Sequence, residues 1–318
     1  MSLLLNSACS SRHHVRTLPT AEISRVLGTQ SSETNELARV LGSDLLALIR
    51  ARGVPLTKLT AITALPSPVR KRAAFAVDFA DGTRLKARRL ESAKRADVVA
   101  RLRAMTPAGF APILAHRGDA MLLAWVEGRS LASLGAVPAA VLRRCGRMLG
   151  ALHVLRCEEW VEGAPASPQA LFEKLERNLE LLLTAKLLDA DLAQRALAAA
   201  DAKRPHDVTL GIIHKDFCAE NLVLGSDDSL VCVDDATLST GPHDLDLART
   251  WARWPMREAE IAHFASGYQE HRSLAGFERH FYFWATCALV GSAATRVRSL
   301  APGAHASVER LRQIQAHP

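Results

Sequence analysis

Gly211-Ile-Ile-His214-Lys-Asp216-Phe-Cys-Ala-Glu-Asn221-Leu-Val-Leu224, a short polar turn and then Ser229-Leu-Val-Cys-Val-Asp234 make up the stretch that decides the reading of this chain. Leu-Gly-Ile-Ile at 210–213 and Leu-Val-Cys-Val at 230–233 are short apolar runs bounded by turn signals, the pattern of buried strands. Asp216 follows the first run and Asp234 the second, so each strand delivers a carboxylate at its C-terminal end. Any one of these residues alone reads as a turn or cap, because Asp and Asn hydrogen-bond locally in turns. Together they supply one carboxylate to orient an acceptor hydroxyl, plus an amide oxygen and a second carboxylate to hold Mg²⁺ against phosphates. Those are the parts a phosphoryl-transfer site requires.

Asp216 stands two residues after His214 and five before Asn221, the spacing of the base Asp and metal Asn in a kinase catalytic loop. His-Lys-Asp-Phe-Cys-Ala-Glu-Asn at 214–221 is followed by Val-Cys-Val-Asp-Asp at 231–235 and by Gly241-Pro-His-Asp-Leu-Asp-Leu-Ala248. This series resembles the aminoglycoside phosphotransferase and choline kinase-like family, a branch of the protein-kinase-like fold. Upstream, Met121-Leu-Leu-Ala-Trp-Val-Glu-Gly-Arg-Ser-Leu131 is similar to the family's hinge strand, and a helix over 137–154 ending Leu149-Gly-Ala-Leu-His153 resembles its first large-lobe helix. The motifs run in family order over roughly residues 60–250.

The resemblance implies an α+β, bilobal protein-kinase-like fold, with a small antiparallel β-sheet lobe and a larger, mainly helical lobe. It places an N-terminal extension with one amphipathic helix at 1–55, a nucleotide-binding lobe at 56–127 and a catalytic and acceptor-binding lobe at 128–318. The implied activity is phosphorylation, by Mg²⁺ and ATP, of a hydroxyl on a small molecule: an aminoglycoside or other antibiotic, an amino alcohol, or a sugar-like metabolite. Asp216 is then the catalytic base or orienting carboxylate, and Asn221 and Asp234 hold Mg²⁺. His214 braces the loop, and Asp246 anchors it by accepting backbone hydrogen bonds. Leu123 and Trp125, within the hinge 123–127, face adenine through backbone groups.

Residues 56–127 alternate as strands at 57–63, 73–79 and 83–90, a helix at 93–105, and strands at 112–116 and 120–126, with Asp81-Gly82 as a hairpin signal. The nucleotide loop falls at 66–72 and contains no Gly, a departure from the Gly-rich loop of kinases that leaves Ser67 and nearby backbone N–H groups to meet phosphate. On the third strand, alternation places Lys86 and Arg88 on one face and Arg89 with Leu85 and Ala87 on the other. Lys86, four residues after the Asp-Gly turn, resembles the family lysine that reaches the α/β-phosphates, and Asp97 on the next helix is its expected acidic partner.

Composition narrows the classes. With 318 residues, 48% hydrophobic and 23% charged, the chain is long enough for two cores and ordinary for a soluble enzyme. The longest apolar stretch, 281–294, is too short to span a bilayer, and the N-terminus lacks the basic and apolar regions of a signal peptide, so a cytoplasmic, membrane-free protein is expected. The six cysteines show no C-x-x-C pair and no metal-ligand spacing, and no disulfide framework is implied. The net charge of +7 is uneven: residues 206–318 hold 10 Lys and Arg against 14 Asp and Glu, leaving the basic excess to the first 205. That distribution, without a nucleic-acid motif, argues against DNA or RNA as a partner. The acidic balance of the C-terminal part mildly suits a cationic acceptor. Two rivals remain: a nucleotide-binding regulatory module without turnover, favoured by the glycine-free loop, and a Ser/Thr protein kinase, disfavoured because no Ala-Pro-Glu motif follows Asp234.

Overall fold

The computed structural model describes residues 32–62, 73–106, 109–155 and 167–316. The chain forms two compact units, which divide at Gly128 and Arg129 and again around the short segment 106–109.

In the first unit, helices α1 (Ser32–Leu41) and α2 (Ser43–Ala51) precede strands β1 (Leu56–Ala61), β2 (Ala73–Phe79) and β3 (Arg84–Arg89), helix α3 (Ala93–Met105), and strands β4 (Ile113–Arg117) and β5 (Ala120–Ala124). The strands form one antiparallel sheet in the order β1-β2-β3-β5-β4. The single amphipathic helix expected before residue 55 is two helices. Gly42 adopts φ 78°, and a side chain there would press on the Arg89 guanidinium, so the helix breaks at the one residue type that accepts both conditions. Leu41, Leu45 and Ile49 cover Phe75, Val77, Leu85, Ala87 and Leu122, the residues that alternation aims at one face of the sheet. The other face of β3 carries Lys86 and Arg88, opposite Leu123 and Met121 of β5.

The second unit contains β6 (Arg129–Ser130), α4 (Ala139–His153), α5 (Pro168–Thr184), α6 (Ala190–Ala202), β7 (Leu210–Ile213), β8 (Leu222–Leu224), β9 (Leu230–Cys232), β10 (Ser239–Pro242), α7 (His243–Arg253), α8 (Glu258–Tyr268), α9 (Ala275–Arg279), α10 (Phe281–Arg298) and α11 (Ala304–Ala316). Two caps start helices where the sequence supplies them: Ser167 accepts from the Ala170 N–H, and Asp189 from the Leu192 N–H. Helix α10 lies at the centre, with Phe283, Trp284, Ala293 and Ala294 fully enclosed by α5, α6, α7 and α11. The helix expected over 276–298 is interrupted at His280, whose ring Nδ1 meets the Lys203 carbonyl at 2.9 Å. Helix α4 crosses α8 with almost no side chain between them: a Cβ on Gly146 would collide with the Phe264 carbonyl, and one on Gly267 with the Arg143 carbonyl. Among the described residues, no helix is long and apolar enough to cross a membrane.

Candidate active site

The quoted stretch folds as β7, a loop, one turn of 3₁₀ helix at Ala219–Asn221, and the β8–β9 hairpin. Strand β7 pairs antiparallel with β10, which feeds directly into α7 and so returns the chain to the loop after β7. The return delivers Asp246, fully buried in the first turn of α7. Its two carboxylate oxygens accept the backbone N–H groups of His214 and Lys215, each at 2.6 Å. Lys215 is thereby held at φ 67°, the left-handed region that costs a non-glycine residue energy and persists only where surrounding contacts impose it.

The loop is braced further. The His214 ring is fully buried; its Nδ1 accepts from the Asp216 N–H at 3.3 Å, and its Nε2 meets Cys232 Sγ at 3.1 Å. Thr237 donates to the His214 carbonyl at 2.7 Å. Behind Asp246, His153 places Nε2 at 3.1 Å from the carboxylate and Nδ1 at 2.8 Å from the Tyr268 hydroxyl, and stacks on His243 at 4.5 Å. Burial lowers the pKa of His153, outweighing the hydrogen bond and charge of Asp246. A neutral ring then donates Nε2–H to the carboxylate and accepts the tyrosine proton at Nδ1. Burial works to raise the Asp246 carboxyl, yet the His153 hydrogen bond and nearby positive charge bring it down to about 2. The His153 hydrogen bond leads the lowering contributions, and the His214 and Lys215 backbone N–H groups donate to the same carboxylate. His243 is pushed down to about 2 by burial, then by His153 and Arg272. Gly211 has no side chain because the His243 ring occupies that space.

Held this way, Asp216 faces Asn221 and Arg253. The Asn221 Nδ2 donates to the Asp216 carbonyl at 2.9 Å and to its Oδ2 at 3.2 Å. Arg253, at the end of α7, places Nη1 at 3.2 Å from Oδ1. Because the amide nitrogen of Asn221 is engaged by Asp216, its amide oxygen is turned away from Asp216. The hairpin register pairs Leu222 with Cys232, and the Val233 N–H bonds to the Asn221 carbonyl at 2.9 Å, so Asn221 and Asp234 lie at the same end of the hairpin. Asp234 Oδ1 also accepts the Ala236 N–H at 3.3 Å. One amide oxygen and one carboxylate are hard donors that fit Mg²⁺, an ion that takes its other positions from phosphate and water. Among the described residues no group of three or more His, Cys, Asp and Glu side chains forms a metal site, so a self-sufficient protein cage does not compete with that arrangement.

In the sheet unit, Lys86 lies directly across from Leu123, bringing the expected phosphate lysine beside the expected adenine strand. Trp125 packs under the Arg84 guanidinium at 4.6 Å. The basic neighbours of Lys86 differ from it in setting: Arg88 is buried with Nη2 on Met121 Sδ, and Arg89 pairs with Asp119 at 3.1 Å. Asp97, the expected acidic partner, turns its largely exposed carboxylate to His116 Nε2 at 3.5 Å. Ser67 lies outside the described residues. Burial, then Asp216 and Glu220, push the Cys218 thiol far up, which leaves it a neutral packing group.

Sequence reading missed Arg253, Arg249 and Lys174. All three line a cavity of about 470 Å³ in the helical unit, which has Asp216 and Lys215 in its wall. Arg249 and Arg253 are four apart on the helix that follows the Asp-Leu-Ala step, a spacing that puts both on one face and could have marked it.

The sequence matches the model of the phosphotransferase enzyme family over residues 69–280. No curated protein sequence matches the chain. Among solved structures it is similar to a macrolide 2'-phosphotransferase type I, with 15% identity over 89% of this chain and 98% of that one and a TM-score of 0.62. It is also similar to an ethanolamine kinase of Plasmodium vivax, with 11% identity over 92% and 90% and a TM-score of 0.61. A spectinomycin phosphotransferase in complex with ADP and spectinomycin gives 12% identity over 85% and 93%, with a TM-score of 0.55. At these identities the structures establish the α+β protein-kinase-like fold.

Proposed function

The chain belongs to the phosphotransferase enzyme family, and we propose that it transfers the γ-phosphoryl group of ATP, with Mg²⁺, to a hydroxyl of a small molecule. The observation that carries this reading is the contact between Asn221 and Asp216 at the end of the hairpin that also delivers Asp234. Bound Mg²⁺ neutralises charge on the phosphates. Asn221 and Asp234 hold that ion. Asp216 orients the acceptor hydroxyl and takes its proton as the acceptor oxygen bonds to the γ-phosphorus and the bond from that phosphorus to the ADP oxygen breaks. In a loose transition state the acceptor oxygen stays weakly nucleophilic until late, so positioning outweighs proton removal. The clamp from Asp246 to the His214 and Lys215 backbone serves that positioning.

Within the sheet unit, Lys86 is assigned to the α/β-phosphates, Leu123 and Trp125 to the adenine-facing strand, and Ser67 to the phosphate loop. The ADP complex of the similar spectinomycin phosphotransferase supports a nucleotide donor. Nucleotide binding measured by calorimetry with and without Mg²⁺ tests the metal assignment. Asp234→Ala is expected to weaken the Mg²⁺-dependent affinity by roughly 10- to 100-fold and to leave metal-free binding near the wild-type value. Equal losses in the two conditions would make Asp234 a structural strand-end residue.

A further inference from the structure

The acceptor cavity has a charge that its surroundings in the sequence conceal. Residues 206–318 carry a net negative charge, which favours a cationic acceptor. The cavity of about 470 Å³ reverses that expectation: it is lined by Lys174, Lys215, Arg249, Arg253, Arg296 and Arg298, and Asp216 is the only carboxylate among its described lining residues. Two acidic residues of the region do not line it: Asp246 accepts from the loop backbone and His153, although its charge also acts on Arg249, and Glu270 is tied to Arg143 and Arg147.

Three of the cations are already directed: Arg253 to Asp216, Arg298 to the Asn178 amide oxygen at 2.6 Å, and Arg296 to Ser292. Arg249 is different. Its Nη1 is buried with no hydrogen-bond partner among the described residues, although it lines the cavity. A buried guanidinium N–H without an acceptor is uncommon, and its preferred acceptor is a planar carboxylate or a phosphate. Lys174 lines the same cavity, and burial first, then Arg249, Arg298 and Arg177, lower its pKa. Like charges gathered in a concave, partly desolvated space repel one another, and an anion placed among them relieves both the repulsion and the missing hydrogen bond. Leu171, Leu175, Leu245 and Ala288 line the same cavity and suit a short carbon skeleton.

We propose that the acceptor is a small anion, a hydroxylated carboxylate or phosphate ester, whose charged group is held by Arg249 and Lys174 while its hydroxyl reaches Asp216. This inference rests on the phosphotransferase reading for the reaction and on the cavity alone for binding. The acceptor oxygen forms a bond to the γ-phosphorus of ATP, ADP leaves with the electron pair of the broken bond, and the hydroxyl proton passes to Asp216. An aminoglycoside or a quaternary amine would set its charge among these cations and is disfavoured.

The test uses the full chain with four sets of hydroxyl compounds: glycerate and gluconate, glycerol 3-phosphate and glucose 6-phosphate, neutral glycerol and glucose, and cationic choline and kanamycin. Binding without nucleotide is measured by calorimetry, and transfer with Mg²⁺ and ATP by the mass gain of one phosphoryl group. A carboxylate or phosphate ester is expected to bind and to be phosphorylated, the two anionic sets telling which group is recognised. Its affinity should fall roughly 10- to 100-fold in Arg249→Met and in Lys174→Gln. The second variant carries the test if the first does not fold. Transfer to a neutral or cationic compound alone, no binding of either anionic set, or anion binding indifferent to both variants would overturn the proposal. Anion binding that depends on Arg249 and Lys174 without any ATP turnover would uphold the site and refute the phosphotransferase reading instead.

Discussion

Asp246 shows how one buried residue can control a site it does not enter. Its carboxylate accepts two backbone N–H groups and one imidazole, and it fixes Lys215 in a left-handed conformation that the sequence between His214 and Asp216 would not choose unaided. The carboxyl is held at about 2 against 3.8 for an ordinary Asp. A depressed carboxylate contributes stability above its unfolded pKa, and the contribution is lost as the pH falls through the folded value. Asp246→Asn is therefore expected to cost about 2 kcal/mol at pH 7. The gap from wild type should hold down to about pH 5 and narrow below about pH 4. Urea unfolding of both proteins across pH 7 to 3 measures it, and a gap that stayed constant through pH 3 would show that the carboxylate charge is not what holds the loop. The placement of Asp216, Asn221 and Asp234 was legible in the sequence because their relation is local, set by strand ends and a spacing of a few residues. Arg253 was not, since its arrival at Asp216 depends on β10 pairing with β7 and swinging α7 back across the loop.

At the scale of elements, hairpins and helix starts followed readable chemistry, including the Asp81-Gly82 turn, with Gly82 at φ 79°, and the Ser167 and Asp189 caps. Two helix breaks escaped because a periodic apolar pattern runs through them. Gly42 interrupts one pattern by backbone conformation, and His280 the other, where its ring bonds the Lys203 carbonyl at the end of α6. The crossing of α4 and α8 was equally hidden, since Gly146 and Gly267 inside helices read as weak helix formers and not as a contact surface. Gly267→Ala forces a methyl group into the Arg143 carbonyl, and backbone offers no rotamer to yield. Its expected cost is about 3 kcal/mol, at the upper end of overpacking. Gly291→Ala, in α10, meets nothing within 4 Å and should gain about 0.5–1 kcal/mol from helix propensity. Thermal unfolding of the two variants checks the contrast, and similar effects of both would mean that the helices do not cross backbone to backbone.

For the whole molecule, net charge summed over a stretch of sequence does not locate the groups that line a cavity. The acidic balance of residues 206–318 sums carboxylates used for internal anchoring with arginines that line a cavity, and a sum over sequence cannot separate the two. The phosphotransferase family and its α+β fold were legible because motif order is preserved from the hinge at 121–131 to the Asp-Leu-Ala step at 246–248. On the proposed reading, Asp216 works on a hydroxyl beside a metal held by Asn221 and Asp234. The most direct test is single-turnover transfer of the γ-phosphoryl group to an accepted hydroxyl compound, comparing wild type with Asp216→Asn at saturating Mg²⁺ and ATP. Folding and nucleotide affinity are expected to be unchanged and the transfer rate lowered on the order of 10²–10⁴-fold; transfer at the wild-type rate by Asp216→Asn would show that the carboxylate does not act on the hydroxyl.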